Sequence, residues 1–313
     1  MLRNLLAIYL IFITQFTYGS SRSQEAWKTL QNGPALLFCH QHDLDTGKEI
    51  LGILQSSLPR ISSDLKLTQI RRITIIITPT EKEFQKMTSG SIPDWGIAAA
   101  NPSNGTIYLK SPRFARPEID LKSVVIHELS HVLLGMALDG QYIDRWFDEG
   151  FAVYQSGEAS MSNKVLFARS LVTNNPIHLS QIDAVLTFQR DKAGLAYQES
   201  HAAIDYLIQQ FGTETISNIV QQIRLSNDMD LALQHAIGMN QDTFESLWLK
   251  AMRNKYQWYI IFEFPVLFSA LLILFFITAW MVTRKRINKR KKLWDEEETK
   301  EALKALEKNS TLD

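Results

Sequence analysis

The stretch that decides the reading is His127-Glu128-Leu129-Ser130-His131, set in an apolar segment that runs from Asp120 to about Leu138. Asp120 suits a helix N-cap, and on a helix positions i and i+4 share one face. Both imidazoles can therefore approach one cation, with Glu128 beside them at i+1. The second stretch is Trp146-Phe147-Asp148-Glu149-Gly150-Phe151-Ala152, where Glu149 follows His131 by 18 positions. A catalytic zinc centre takes three protein ligands and leaves a fourth position for water. His127, His131 and Glu149 are the candidate set, and two imidazoles with one carboxylate suit Zn2+. A turn at Asp139-Gly140 lets the second helix fold back on the first, and Gly150 permits close approach of a helix. Trp146 reads as packing rather than as a substrate contact.

Working outward, the residues before this pair alternate in type. Ala35–Cys39 reads as a short buried strand, Leu44–Leu58 as a helix, Arg71–Thr78 as a β-branched strand ended by Pro79, and Thr80–Met87 as a helix. Thr106–Lys110 is a further strand, introduced by the turn Pro102-Ser103-Asn104-Gly105. After Pro117 the strands stop. Helices are predicted from Asp120 to Leu138, from about Tyr142 to Gly157, and over Gln181–Arg190, Leu195–Phe211, Thr213–Leu225 and Gln241–Tyr256, punctuated by Gly194, Gly212 and Gly238. A small mixed sheet followed by a helical half gives an α+β fold with a cleft where the halves meet.

The two ends differ from this middle. Arg3, the apolar run Leu5–Phe16 and the small residues to Gly19 and Ser20 have the layout of a secretory signal peptide over 1–19, with an uncleaved anchor as the alternative. Phe264–Thr283 has no charged residue and is long enough to cross a bilayer, so 259–283 is read as a transmembrane helix. Trp258, Tyr259 and Trp280 fall at interface depth, and Arg284, Lys285, Arg286, Lys289, Arg290, Lys291 and Lys292 follow at once. By the positive-inside rule the 284–313 tail is cytoplasmic and the 20–257 domain extracytoplasmic, periplasmic or at the cell surface. That domain divides into a sheet lobe, 20–118, and a helical lobe, 119–257. Its one cysteine, Cys39, excludes an internal disulfide.

The chain of 313 residues carries 33 basic and 33 acidic side chains and 45% hydrophobic residues, which excludes a disordered chain and a basic nucleic-acid binder. The tail from 284 holds 10 basic and 7 acidic groups, leaving 22 basic against 26 acidic over 4–283. The overall neutrality thus sums a mildly acidic domain and a basic tail on opposite sides of a membrane. Cys39-His40-Gln41-His42 fits no zinc spacing and reads as packing. Asp295–Leu306 has the i,i+4 charge pairs of a solvated helix.

HELSH followed by WFDEGFA resembles the gluzincin metallopeptidases, in particular the peptidase MA-like group whose glutamate helix reads W-x-x-E-G-x-A. The resemblance covers Ile70 to Gly212 and includes Ala196–His201 continuing to Tyr206–Gly212, which is similar to that group's tyrosine-bearing helix. It implies a zincin-like domain: an upper sheet, an active-site helix beneath it, zinc in the cleft and a helical lower lobe. It also implies Tyr197 as first choice for the oxyanion donor and His201, one turn further, as second. Two places depart from related enzymes. The aspartate one turn after the ligand glutamate is Val153 here, leaving Asp148 and Glu158 as candidates to orient the histidines. The strand that carries an amine-gripping acid in the aminopeptidase branch corresponds to Gly96–Asn101, which has no acid, so an endopeptidase is expected.

These residues predict hydrolysis of peptide or protein substrates, with zinc making hydroxide available near neutrality and Glu128 as general base. Within the enzymes, an intramembrane protease is disfavoured, because Lys122, Asp139 and the polar motif residues leave no span-length apolar run. The competing class is a catalytically silent peptide-binding receptor or adaptor, for which an intact Glu128 has no use. Nothing points to nucleic acid, and the oligomeric state is open.

Overall fold

Ile73–Thr78 (β3) alternates buried and half-buried residues at the centre of a five-stranded sheet of order β1-β2-β3-β5-β4. The computed structural model describes residues 27–90, 92–93, 96–114, 120–158, 161–256 and 265–310. Lys28–Asn32 (β1) and Ala35–Cys39 (β2) form an antiparallel hairpin whose turn places Gly33 at φ +55°. β2 pairs parallel to β3, and β3 parallel to Thr106–Lys110 (β5). Ala98–Asn101 (β4) adds antiparallel to β5 at the edge. The sheet is mixed, and with the helices that follow it the α+β expectation holds.

β1 was not anticipated, because KTLQN is exposed and lacks apolar alternation; its one signal is Asn32-Gly33 at the turn. The helix Leu44–Asp64 (α1) continues past its expected end at Leu58 and holds Pro59 inside it, since Ile61 and Ser62 are buried on its core face. Glu81–Met87 (α2) is capped by the Thr80 hydroxyl, which accepts from the Glu83 backbone N–H.

The chain divides into two compact units, Met1–Ala159 with Ile177–Glu245, and Ser160–Pro176 with Ser246–Asp313. In the first unit Leu121–Leu138 (α3) lies against β4, β5 and α1. Gly135 makes the contact with the sheet close, since a Cβ there would stand 2.4 Å from Pro102 Cβ. Arg145–Ser156 (α4) packs on α3 on one side and on Arg190–Phe211 (α6) on the other. Leu129, Val132 and Leu133 of α3 and Phe147, Phe151 and Ala152 of α4 are fully enclosed. Burying each large apolar side chain contributes about 1.5–3 kcal/mol. Glu214–Ser226 (α7) and Met229–Ile237 (α8) complete this unit, with the first residues of Gln241–Tyr256 (α9).

The expected helix over Gln181–Arg190 is instead a 3-10 stretch, Leu179–Thr187. Gly194 does not end a helix. It lies inside α6, which begins at Arg190, because a mid-helix glycine costs only about 1 kcal/mol and packing on α4 outweighs it. Two helices were missed, Met161–Val172 (α5) and α8. The second was legible: Asp228 caps its start by accepting from Leu231 N, and Gly238 ends it at φ +78°.

In the second unit α5 packs on the end of α9, with Phe167 stacked on Trp248 at 5.9 Å between ring centroids. The unit also contains Pro265–Ser310 (α10), an unbroken helix of 46 residues. From Phe268 to Ala302 it is exposed on every side, and it is long and apolar enough there to be a candidate membrane span. The expected signal peptide, Trp258, Tyr259 and the first residues of the expected span lie outside the described residues.

Candidate active site

The site is assembled by three helices of the first unit, α3, α4 and α6. Asp120 starts α3 by accepting from Lys122 N at 3.1 Å and from Ser123 Oγ at 2.6 Å. Ser123 Oγ also donates to Ser156 O at 3.4 Å, tying the start of α3 to the end of α4. Between them the chain reverses at Asp139 (φ 53°) and Gly140 (φ 89°), the turn expected from the sequence.

That reversal sets Glu149 against both histidines. Glu149 Oε2 stands 3.4 Å from His127 Nε2 and 3.5 Å from His131 Nε2, with the imidazole centroids 4.8 Å apart. Two donors about 2.0–2.1 Å from a tetrahedral zinc lie about 3.3–3.4 Å from each other, which the two Glu149–histidine distances match, and one ligand atom from each of the three residues lies within 4.8 Å of the others. Among the described residues His127, His131 and Glu149 are the one group of His, Cys, Asp or Glu side chains whose ligand atoms converge in this way. Cys39 is buried within the sheet region, as the packing reading of Cys39–His42 requires.

Each of the three side chains has a charged neighbour behind it. His131 Nδ1 meets Asp148 Oδ1 at 2.6 Å, and His127 Nδ1 faces Glu158 Oε2 at 3.5 Å. Both candidates for the missing orienting acid are therefore present, each on a different imidazole. Glu158 reaches back because Gly157 ends α4 in the left-handed region at φ 70°. Arg145, a residue the sequence reading passed over, places Nη1 3.5 Å from Glu149 Oε1 and 4.0 Å from Asp148 Oδ2. Its signal was its position, four residues before Glu149 on the same helix.

The charges respond to one another. Burial disfavours the His127 imidazolium, yet Glu149 and Glu158 outweigh it and hold the group up at about 9. Burial likewise opposes the His131 imidazolium, and Asp148 and Glu149 raise it well above the usual histidine range. Glu149 is held far down by the two histidines in spite of its burial. Glu128 is raised, first by burial, with His127 and His131 pulling the other way. The carboxylates of Asp148, Glu149 and Glu158 thus favour positive charge at the two imidazoles, an environment suited to a cation.

Tyr197 comes from α6, its ring 6.5 Å from that of His127 and perpendicular to it. The close approach allowed by Gly150 is to this helix: a Cβ on Gly150 would lie 2.4 Å from Ser200 O and 2.7 Å from Ile204 Cγ1. Burial, and after it Glu149, raises the Tyr197 phenol, which stays protonated and able to donate. His201 follows one turn later on α6 and is half-buried. Trp146 is fully buried, stacks on Phe244 and donates from Nε1 to Gln241 Oε1 at 3.1 Å, the packing role expected of it.

At the sheet edge the ladder leaves backbone groups free to pair. Lys110 N donates to Ile97 O at 3.0 Å, and the register Ala99↔Tyr108 continues that hydrogen-bonded phase. The N–H and C=O groups of Ala98 and Ala100 therefore point away from β5, towards the open edge. The family model described as Peptidase MA superfamily matches residues 55–254, from the second half of α1 through all but the last two residues of α9. No curated protein matches the chain.

Proposed function

The chain belongs to the Peptidase MA superfamily, and from this premise we propose that it is a membrane-anchored zinc metalloendopeptidase of the gluzincin type with a zincin-like catalytic domain. The observation that carries the proposal is the convergence of His127 Nε2, His131 Nε2 and Glu149 Oε2 within zinc-ligand spacing, with Glu128 on the same helix. These three side chains would hold the zinc, which when bound lowers the pKa of its water to about 7 and polarises a carbonyl.

The remaining steps belong to this chain's own residues. Glu128, lifted above the ordinary carboxylate range by burial, takes the proton from the attacking water and passes it to the leaving amine. Tyr197, kept protonated, donates to the oxyanion, with His201 on the next turn as the second candidate. Ala98 and Ala100 on the open edge pair with an extended substrate backbone. β4 and its lead-in from Gly96 carry no acid to grip a free amine, which favours internal cleavage.

In this reading residues 1–19 are a signal peptide and 20–257 the extracytoplasmic domain, sheet lobe 20–118 and helical lobe 119–257. Residues 259–283 span the membrane and 284–313 form a cytoplasmic tail. The seven cations at Arg284–Lys292 set that orientation. Protease digestion of intact cells checks it: cleavage in Asp295–Asp313 with protection of the HELSH region would invert the topology.

The test of activity uses full-length protein and its Glu128→Gln variant, assayed for bound metal and incubated with an unbiased peptide library. Both proteins are expected to bind zinc, while the variant cleaves about 10²–10⁴-fold more slowly. Zinc bound by both with identical fragments from each, or no fragments from either, would replace the peptidase reading with the peptide-binding one.

A further inference from the structure

Glu149 presents its two oxygens to different partners. Oε2 faces both imidazoles at 3.4 and 3.5 Å, whereas Oε1 faces the Arg145 guanidinium at 3.5 Å. We propose that Arg145 is a positioning residue that confines Glu149 to coordination through Oε2 alone and so keeps one position at the metal centre open. The proposal rests on the reading of His127, His131 and Glu149 as metal ligands.

The physical argument starts from the carboxylate. A free glutamate side chain can chelate through both oxygens, and the second would take the position that a catalytic centre reserves for water. A donor fixed on Oε1 prevents that rotation. Arginine suits the task because its planar guanidinium stays charged at every working pH and offers several donors at once. Its side chain is 31% exposed, so the pair is only partly desolvated and the guanidinium keeps some hydration. The same group lies 4.0 Å from Asp148 Oδ2, whose other oxygen holds His131. One cation thus steadies two of the three ligand side chains, and it offsets part of the negative charge of Glu128, Asp148, Glu149 and Glu158. The backbone of Arg145 is anchored separately, its N–H donating to Asp183 Oδ1 at 2.9 Å. Shortening the side chain therefore leaves the start of α4 tethered.

The experiment uses full-length protein in detergent, stripped of metal and reloaded with Co2+ alone, in wild type, Arg145→Gln and Arg145→Lys. Cobalt absorbs more intensely in the visible when four-coordinate than when a fifth ligand joins. Wild type is expected to take up stoichiometric cobalt with strong bands. Arg145→Gln should take up as much with weakened bands, and should cleave peptides about 10–100-fold more slowly. Arg145→Lys, which keeps a cation near Oε1, should recover most of both signals. If wild type and Arg145→Gln bind cobalt with the same spectrum and turnover, the role of Arg145 is overturned while the metal reading stands. Loss of cobalt from a folded Arg145→Gln protein also overturns it, since Arg145 would then support affinity rather than denticity. Failure of wild type to bind cobalt removes the metal reading itself and this proposal with it.

Discussion

α3 and the apolar first part of α10 are alike in hydropathy and opposite in surroundings. Each contains an 18-residue window apolar enough to cross a membrane, with mean hydropathy 1.3 in Leu121–Leu138 and 1.5 in Phe268–Ala302. Two-thirds of the α3 window is buried inside the protein, and none of the α10 window is. What separates them is the fate of their polar groups. α3 carries His127, Glu128 and His131, and α4 answers the two imidazoles: Asp148 holds His131, and Glu149 faces both. The apolar stretch of α10 carries no charge, and its Thr278 and Thr283 hydroxyls bond back to Phe275 O and Ala279 O of the same helix. A helix whose polar groups need partners from other elements belongs in a fold. One that satisfies its own suits lipid.

The sharpest way to break this contrast is to place a charge in each helix. Leu133→Asp, at a fully enclosed position, should cost about 4 kcal/mol or more and abolish the cooperative thermal transition. Leu272→Asp should leave that transition in place and weaken membrane insertion by about 2.5–3.5 kcal/mol, read by extraction from membranes. If Leu272→Asp unfolds the protein instead, α10 is a packed element and the contrast is wrong.

A smaller effect tests whether α3 depends on α4 for its polar face. Asp148→Asn, which removes the charge beside His131, should lower zinc affinity about 10–100-fold in a competition titration while leaving the fold intact. Unchanged affinity would make Asp148 a bystander.

Next in size are two glycines on covering helices. Gly150→Ala drives a methyl into Ser200 O and Ile204, and should destabilise by about 1–3 kcal/mol. Gly52→Ala on α1 meets nothing within 4 Å and should stabilise by about 0.5–1 kcal/mol. A melting temperature that does not fall for Gly150→Ala would deny that α4 and α6 touch there.

The smallest effect concerns Asp144, at the start of α4. Burial, reinforced by Asp183, Asp230 and Asp228, raises its carboxyl to about 6 from an ordinary 3.8. A carboxyl raised on folding favours the protonated form, so its contribution is present below 3.8 and is lost as pH rises through about 6. Asp144→Asn should therefore raise the melting temperature near pH 7 and change little near pH 4. A gain of the same size at both values would mean the charge is not the cause.

Much of this was legible in the residues. The strands Ala35–Cys39 and Thr106–Lys110 appear at their expected bounds, and so does the helix Gln241–Tyr256, because apolar pattern and turn chemistry agree there. β1 was not, since an exposed hairpin arm of polar residues has no periodic signature. The extra turn of α1 beyond Pro59 and the passage of α6 through Gly194 were hidden for a related reason, as packing overrode a local breaker.

The same division runs through the site. Spacing alone determined that His127, Glu128 and His131 share a helix and that a carboxylate helix follows, because helical periodicity is a local property of the chain. The α+β class and the charge-free span of α10 follow from the sequence in the same way. Tertiary structure decided which oxygen of Glu149 meets the imidazoles, that Asp148 and Glu158 divide the two histidines between them, that Arg145 takes the remaining oxygen, and that Gly150 opens onto the tyrosine-bearing helix rather than onto α3. Those are relations between residues on different helices or on opposite sides of one side chain, and their distances are set by packing, which no local pattern encodes.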